Sequence, residues 1–179
     1  MEPLKIAKEI QEKFPDDVIE IKNFRDQAGI TIRNNNIKEI VRYLHDASHL
    51  KFDYLRDLCG VDYMNKKEPR FEVVYHFLSL KHFCMIRLNA QVSEDALTID
   101  SIVDIYSGAN WHERECFDMF GIEFKGHPDL RRILMPEDWD GYPLRKDYPT
   151  AGPDLEDDWQ GYKEVLKKAE EYKKYEWKS

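Results

Sequence analysis

The chain has 179 residues, of which 42% are hydrophobic, a size and composition that suit one domain with a real core and room for a tail. A net charge of −8 argues against a nucleic-acid binder, which needs a basic face. Three cysteines cannot supply the four thiolates of a typical iron–sulfur cluster, and an odd number fits poorly with a disulfide-stapled secreted fold.

The N-terminus, MEPLKIAKEIQEKF, lacks the apolar core of a signal peptide. No apolar run approaches the roughly 18 residues of a membrane span, so the expectation is a soluble, cytosolic chain. Leu4, Ile6, Ala7, Ile10 and Phe14 recur at helical spacing until Pro15, predicting a helix from Pro3 to Phe14. Val18, Ile19 and Ile21 read as a short strand, Asp26-Gln27-Ala28-Gly29 as a turn, and Ile30-Thr31-Ile32 as the hairpin partner. Asn36 and Glu39 have capping-box spacing before a second helix with the stripe Ile37, Ile40, Val41 and Leu44.

The period then shortens. Phe52 to Tyr63 and Phe71 to Leu80 are rich in aromatic and β-branched residues and flank a polar turn at 65–69. His82 to Val92 alternates Cys84, Ile86, Leu88 and Ala90 with Met85, Arg87 and Asn89, a strand with one apolar face. Three such runs predict an antiparallel meander. The order α-β-β-α-β-β-β-α predicts an α+β, two-layer helix/sheet domain. Ile99, Ile102, Val103 and Tyr106 share a helical face ending at Gly108. A further helix is predicted from an Asn110 cap, with Glu113 at its third position, to Gly121 as the C′ glycine.

From Ile122 to Asp154, Pro128, Pro136, Pro143, Pro149 and Pro153 exclude a long helix or a central strand. Such a stretch is a functional loop or a segment laid on something else. Beyond it, Leu155, Trp159, Tyr162, Leu166 and Ala169 mark a docked amphipathic helix. The expected organisation is thus an α+β domain at 1–121, an extended strap at 122–153 and a C-terminal helix at 154–179.

Most chemical candidates dissolve on inspection. His112 and Cys116 flank Glu113 in a zincin-like frame, but the second histidine is missing, and a charged helix face is the preferred reading. His45 and His49, with Asp46, have i,i+4 spacing without a third ligand. Cys59, Cys84 and Cys116 have no C-x-x-C spacing; Cys59 and Cys84 read as small core residues on strands. A metal-dependent hydrolase using His112, Glu115, Cys116 and His127 rests only on their nearness in sequence. The strap is different. Arg131-Arg132 and Arg145-Lys146 lie among Phe124, Ile133, Leu134, Met135, Trp139, Tyr142 and Tyr148, a composition typical of protein interfaces. Its backbone needs partners beyond its own ladder, which points to a strap laid on another protein.

Here the sequence resembles a known family. Glu113-Arg114-Glu115, Asp118, Met119-Phe120, His127, Arg131 and Ile133 fill the spacing of the signature of the 30-kDa subunit of respiratory complex I, the NADH–quinone oxidoreductase. Gly126-His127-Pro128, Leu134 to Trp139 and Pro143 to Pro149 look like its continuation. The resemblance implies a peripheral-arm subunit of a proton-translocating enzyme with no catalytic residue and no redox centre of its own. Iron–sulfur clusters, FMN, NADH and quinone would belong to partner subunits. The chain would pack on the 49-kDa-type subunit at the cytoplasmic face of the cell inner membrane, touching the membrane only through the complex and no nucleic acid. The charged ending at Ser179 suggests the unfused form. The corresponding component of a membrane-bound NiFe-hydrogenase or a photosynthetic NDH complex is the alternative.

On this resemblance Glu113, Arg114, Glu115 and Asp118 take structural and interfacial roles, as an ion-pair network with Arg131 or Arg132 that fixes the helix launching the strap. Gly121 permits a left-handed exit, and Gly126, His127 and Pro128 fix a turn. Trp139, Arg145, Lys146 and Tyr148 complete the expected interface.

Overall fold

The computed structural model describes residues 2–25, 27–149 and 160–173. Helix α1 (Pro3–Lys13) precedes the hairpin β1 (Val18–Phe24) and β2 (Gln27–Arg33). Helix α2 (Ile37–Asp46) leads to the meander β3 (Tyr54–Asp62), β4 (Phe71–Ser79) and β5 (Cys84–Val92). A short strand β6 (Thr98–Asp100), helix α3 (Ala109–Phe120), strand β7 (Glu123–Lys125) and helix α4 (Gln160–Lys173) follow.

The main sheet has the order β1-β2-β5-β4-β3. The meander is antiparallel as expected, and β2 joins it in parallel beside β5. A parallel neighbour needs a crossover, and α2 lies within it. One sheet face is dry: Ile30, Ile32, Val73, Tyr75, Phe77, Ile86 and Leu88 are buried with Ile6 and Ile10 of α1 and Ile37, Ile40 and Leu44 of α2. Helix α3 packs on that face over β3. A Cβ on Gly60 would stand 2.6 Å from the Phe120 ring and 3.0 Å from Cys116 Sγ, so the absent side chain permits the approach.

Several expectations are corrected. Strand β2 already starts at Gln27, so Gln27, Ala28 and Gly29 lie in a strand and not in the expected turn. Asn36 does not cap α2; its amide donates to Asp17 Oδ2 at 3.0 Å. Residues 99–106 are not helical, because Ile99 enters β6 and pairs in parallel with Phe124 of β7. That pairing also places a short strand inside the Pro-rich region. Asn110 does not cap α3, whose N-cap is Gly108 without a side-chain cap. Cys84 is buried, but Cys59 is exposed, because its register faces away from the helices. Of the expected apolar seam of the C-terminal helix, Leu166 and Ala169 are exposed, and the side chains of Leu155, Trp159 and Tyr162 lie outside the described residues. No helix among the described residues is long and apolar enough to cross a membrane.

Candidate functional site: a strap laced to helix α3

Arg114 and Asp118 stand four apart on α3 and so share the face that looks onto the strap. Arg114 donates to the carbonyls of Arg131 (3.2 Å) and Arg132 (3.1 Å). The buried Asp118 carboxylate accepts the amides of Ile133 (3.0 Å), Leu134 (2.7 Å) and Met135 (2.9 Å) on Oδ2 and the Arg132 guanidinium (2.7 Å) on Oδ1. Burial alone would raise this carboxyl. The Met135 amide, Arg132 and the amides of Ile133 and Leu134 outweigh it and hold the group below the ordinary carboxylate value. Arg132 continues to the carbonyls of Trp139 (3.0 Å) and Gly141 (3.1 Å).

Gly121 ends α3 in the left-handed region at φ 74°, where an added Cβ would meet the Tyr142 ring at 2.5 Å. Arg145 crosses the same corner, donating to Phe120 O at 2.7 Å and lying 4.5 Å from the Tyr142 ring centre. The Lys146 amide donates to Asp62 Oδ2 at 2.8 Å. Asp62 pairs with Arg70 at 2.7 Å, and Arg70 reaches Asp147 at 2.9 Å and Glu94 at 2.6 Å. Burial opposes ionisation of Asp62, but Arg70 and the amides of Lys146 and Met64 bring it down to about 2. The far end of the strap is therefore tied to β3 and β4 by charge. Tyr148 donates to Asp140 O at 3.1 Å and covers Gly141, where φ is 81°.

The sequence-predicted residues thus divide. Arg114, Asp118, Gly121, Arg132, Trp139 and Arg145 converge on the helix–strap junction, whereas Lys146 meets Asp62 at the far end and Tyr148 closes on Asp140 and Gly141 within the strap. Arg131 contributes its carbonyl, while its exposed side chain pairs with Asp129 at 3.0 Å. The expected ion-pair network exists in reduced form as Asp118–Arg132. Glu113 stands outside it: its carboxylate accepts Ser101 Oγ (2.6 Å) and the Ile102 amide (2.8 Å), fastening the β6–α3 connection, and burial pushes it up to about 7. Glu115 is exposed. Gly126 turns at φ 80°. His127 accepts the Asp129 amide on Nδ1 at 3.0 Å, which puts the proton on Nε2 facing Asn110 O at 3.2 Å. Pro128 is exposed beside it.

The hydrolase constellation does not form. Cys116 is buried against Gly60, His112 faces Asp57 at 3.8 Å, and His127 is engaged with the backbone. His45 pairs with Asp46, and His49 lies beyond the end of α2 on Glu9. Among the described residues, no group of three or more His, Cys, Asp or Glu side chains is arranged to hold a metal ion. Sequence reasoning missed Asp62 and Arg70, which face Lys146 and Asp147 from 84 and 77 residues away, and Ser101, 12 residues before Glu113.

The strap's backbone is satisfied chiefly by its own domain, which corrects the inference that it needs another protein for this purpose. Its outward side carries charges such as Asp129, Arg131, Glu137 and Asp138 around two exposed apolar side chains, Leu134 (61%) and Leu144 (51%). On α3, Trp111 is 62% exposed, with the Arg114 guanidinium 5.2 Å above the indole.

Residues 30–154 match the family described as "Respiratory-chain NADH dehydrogenase, 30 Kd subunit". The chain is 47% identical to an NADH-quinone oxidoreductase subunit from Roseiflexus castenholzii, over 82% of this chain and 83% of that one. It is 42% identical to the equally named protein from Geobacter sulfurreducens, over 82% and 90%. Among solved structures, a trypsin-resistant fragment (1-134) of Nqo5 superposes with a TM-score of 0.62 at 27% identity, covering 73% of this chain and all of the fragment. One chain from an archaeal membrane-bound sulfane sulfur reductase shares the fold, with a TM-score of 0.67 at 22% identity, covering 92% of this chain and 91% of its own. The chain belongs to the family of the 30-kDa subunit of respiratory-chain NADH dehydrogenase, complex I.

Proposed function

We propose that the chain is a non-catalytic peripheral-arm subunit of a proton-translocating NADH:quinone oxidoreductase, scaffolding the quinone-reducing module by seating its strap on the 49-kDa-type subunit. The observation that carries this reading is the lacing of the strap. Asp118, Arg114, Arg132 and Arg145 bind its inner side to α3, so Leu134 and Leu144 are held outward without ordering cost at the moment of binding. The relatives are named as subunits of that enzyme, which supports the assignment to the complex. On this reading the clusters, FMN and quinone belong to neighbouring subunits, and the complex lies on the cytoplasmic face of the inner membrane.

The test is co-purification with the 49-kDa-type subunit. Leu134→Asp combined with Leu144→Asp should abolish retention while the isolated chain keeps its thermal transition. Undiminished retention would overturn the strap assignment. Stoichiometric iron or flavin on the purified chain alone would overturn the non-redox role.

A further inference from the structure

The face of the main sheet opposite the core is crossed by none of α1, α2 or α3, and the strap lies on the other side with α3. Register places Lys22, Gly29, Arg87, His76 and Asp57 in one row across all five strands on this face. Tyr54, half exposed, and Met85 lie at one end of it, and Phe24, 70% exposed, at the rim. A cleft of about 340 Å³ opens between Phe24, Gly29, Lys67 and Arg87.

The charges at its centre are unbalanced. Lys22 pairs with Glu20, and Lys67 with Glu72. Arg87 donates to Asn89 Oδ1 at 2.8 Å, and Arg56 reaches only Met85 Sδ at 3.7 Å. Neither guanidinium has a carboxylate partner among the described residues. His76, between them, is held below its ordinary value by burial and by Arg87, so the imidazole stays neutral near pH 7; Asp57 at 3.8 Å acts in the other direction. Asp57 itself is shared between His76 and His112. Two arginines without an ion pair among the described residues, both close enough to His76 to act on it and set among Tyr54, Phe24 and Met85, match the composition of interface cores. With Asp57 between them the centre keeps a net positive charge, on a chain of net charge −8. Both edge strands carry bulges, between Val18 and Glu20 and between Leu55 and Asp57, a device that discourages edge pairing and leaves the face as the surface to be read.

We infer that this face, on which none of α1, α2 and α3 packs, is a second docking surface, separate from the strap, and that its occupant is an acidic segment of another subunit of the same complex, with carboxylates on Arg56 and Arg87. The inference rests on the proposed membership of the assembled complex.

Cys59 supplies a native reporter: it is exposed on this face, whereas Cys84 and Cys116 are buried. Burial and Asp57 push the Cys59 thiol up and slow it, but as the exposed cysteine it should react with a maleimide ahead of Cys84 and Cys116 in the isolated chain. In the purified complex it should react about tenfold or more slowly, since the thiol must be reached to react. Equal rates in both would overturn the inference while leaving complex membership intact; absence of the chain from the complex would instead overturn the proposed function. Arg56→Glu with Arg87→Glu should lower retention in the complex by about tenfold, more steeply as salt rises. Unchanged retention counts against the acidic occupant. Should that variant misfold, carbodiimide cross-linking of the wild-type complex stands in: Lys22 should join to a carboxylate of another subunit, and a joint to a second copy of this chain would overturn the proposal.

Discussion

Asp118 and Arg132, 14 residues apart, meet at 2.7 Å where helix α3 gives way to the strap, and the same carboxylate gathers three consecutive strap amides. Removing one member of a buried pair leaves the other uncompensated, at a cost of about 3–5 kcal/mol. Asp118→Ala should therefore lower the urea midpoint sharply. Amide exchange at Ile133, Leu134 and Met135 should accelerate beyond the change in global stability. Exchange at those amides that merely tracks global unfolding would show that the carboxylate does not order the strap.

Gly121→Ala tests the corner itself. The residue sits at φ 74°, and a Cβ would stand 2.5 Å from the Tyr142 ring and 2.7 Å from the Arg145 guanidinium. Left-handed strain alone costs on the order of 1–3 kcal/mol. Trypsin should cut faster after Arg131 or Arg145 in the variant. Gly108→Ala is the control: no atom lies within 4 Å of its added Cβ and φ is −65°, so stability should hold or rise.

How much of this was legible in the sequence follows from the range of each interaction. The meander and the stripe of α2 were legible because burial imposes a period on neighbouring residues, as in Cys84, Ile86 and Leu88. The Gly121 exit was legible because a helix C-terminus needs a left-handed residue. The hairpin turn is not legible at its true place because Gly29 carries a turn signal that its pairing with Lys22 on β1 overrides. Ile99 looked helical because strand β7, its partner, is three residues long and contributes no visible period. Arg70 could not be linked to Asp147, 77 residues away, by any local pattern. Among the site residues, Asp118 and Arg132 were near enough in sequence to be paired on charge, whereas Glu113 looked like their neighbour and turned out to serve Ser101.

Gly60→Val tests the seat of α3 on the sheet. The glycine pairs with Val73 on β4, and its added Cβ would enter the Phe120 ring at 2.6 Å. Overpacking of this kind costs about 1–3 kcal/mol. The variant should lose cooperativity first at the α3–β3 contact, seen as faster alkylation of Cys116, which is buried there. A midpoint equal to wild type would mean that α3 can shift outward freely.

The pH profile of stability separates Glu113 from Asp62. Burial raises the Glu113 carboxyl from 4.5 to about 7, against the Ser101 and Ile102 hydrogen bonds that favour its ionised form. The native state therefore holds a proton that the unfolded chain gives up between pH 4.5 and 7. Its contribution is greatest below pH 4.5 and falls as pH rises through 7, by about 3 kcal/mol in total at roughly 1.4 kcal/mol per unit. Asp62 runs the other way. Arg70 and the amides of Lys146 and Met64 overcome its burial and hold it at about 2, below its ordinary 3.8, so its stabilisation is present above pH 3.8 and is lost as pH falls towards 2. Urea midpoints from pH 3 to 8 should decline on both flanks. Glu113→Gln, which keeps the shape without a titrating proton, should flatten the decline between pH 5 and 8 and leave the acid limb alone. Asp62→Asn should weaken the acid limb and leave the alkaline decline alone. A Glu113→Gln profile parallel to wild type above pH 5 would show that Glu113 is ionised throughout that range in the folded protein.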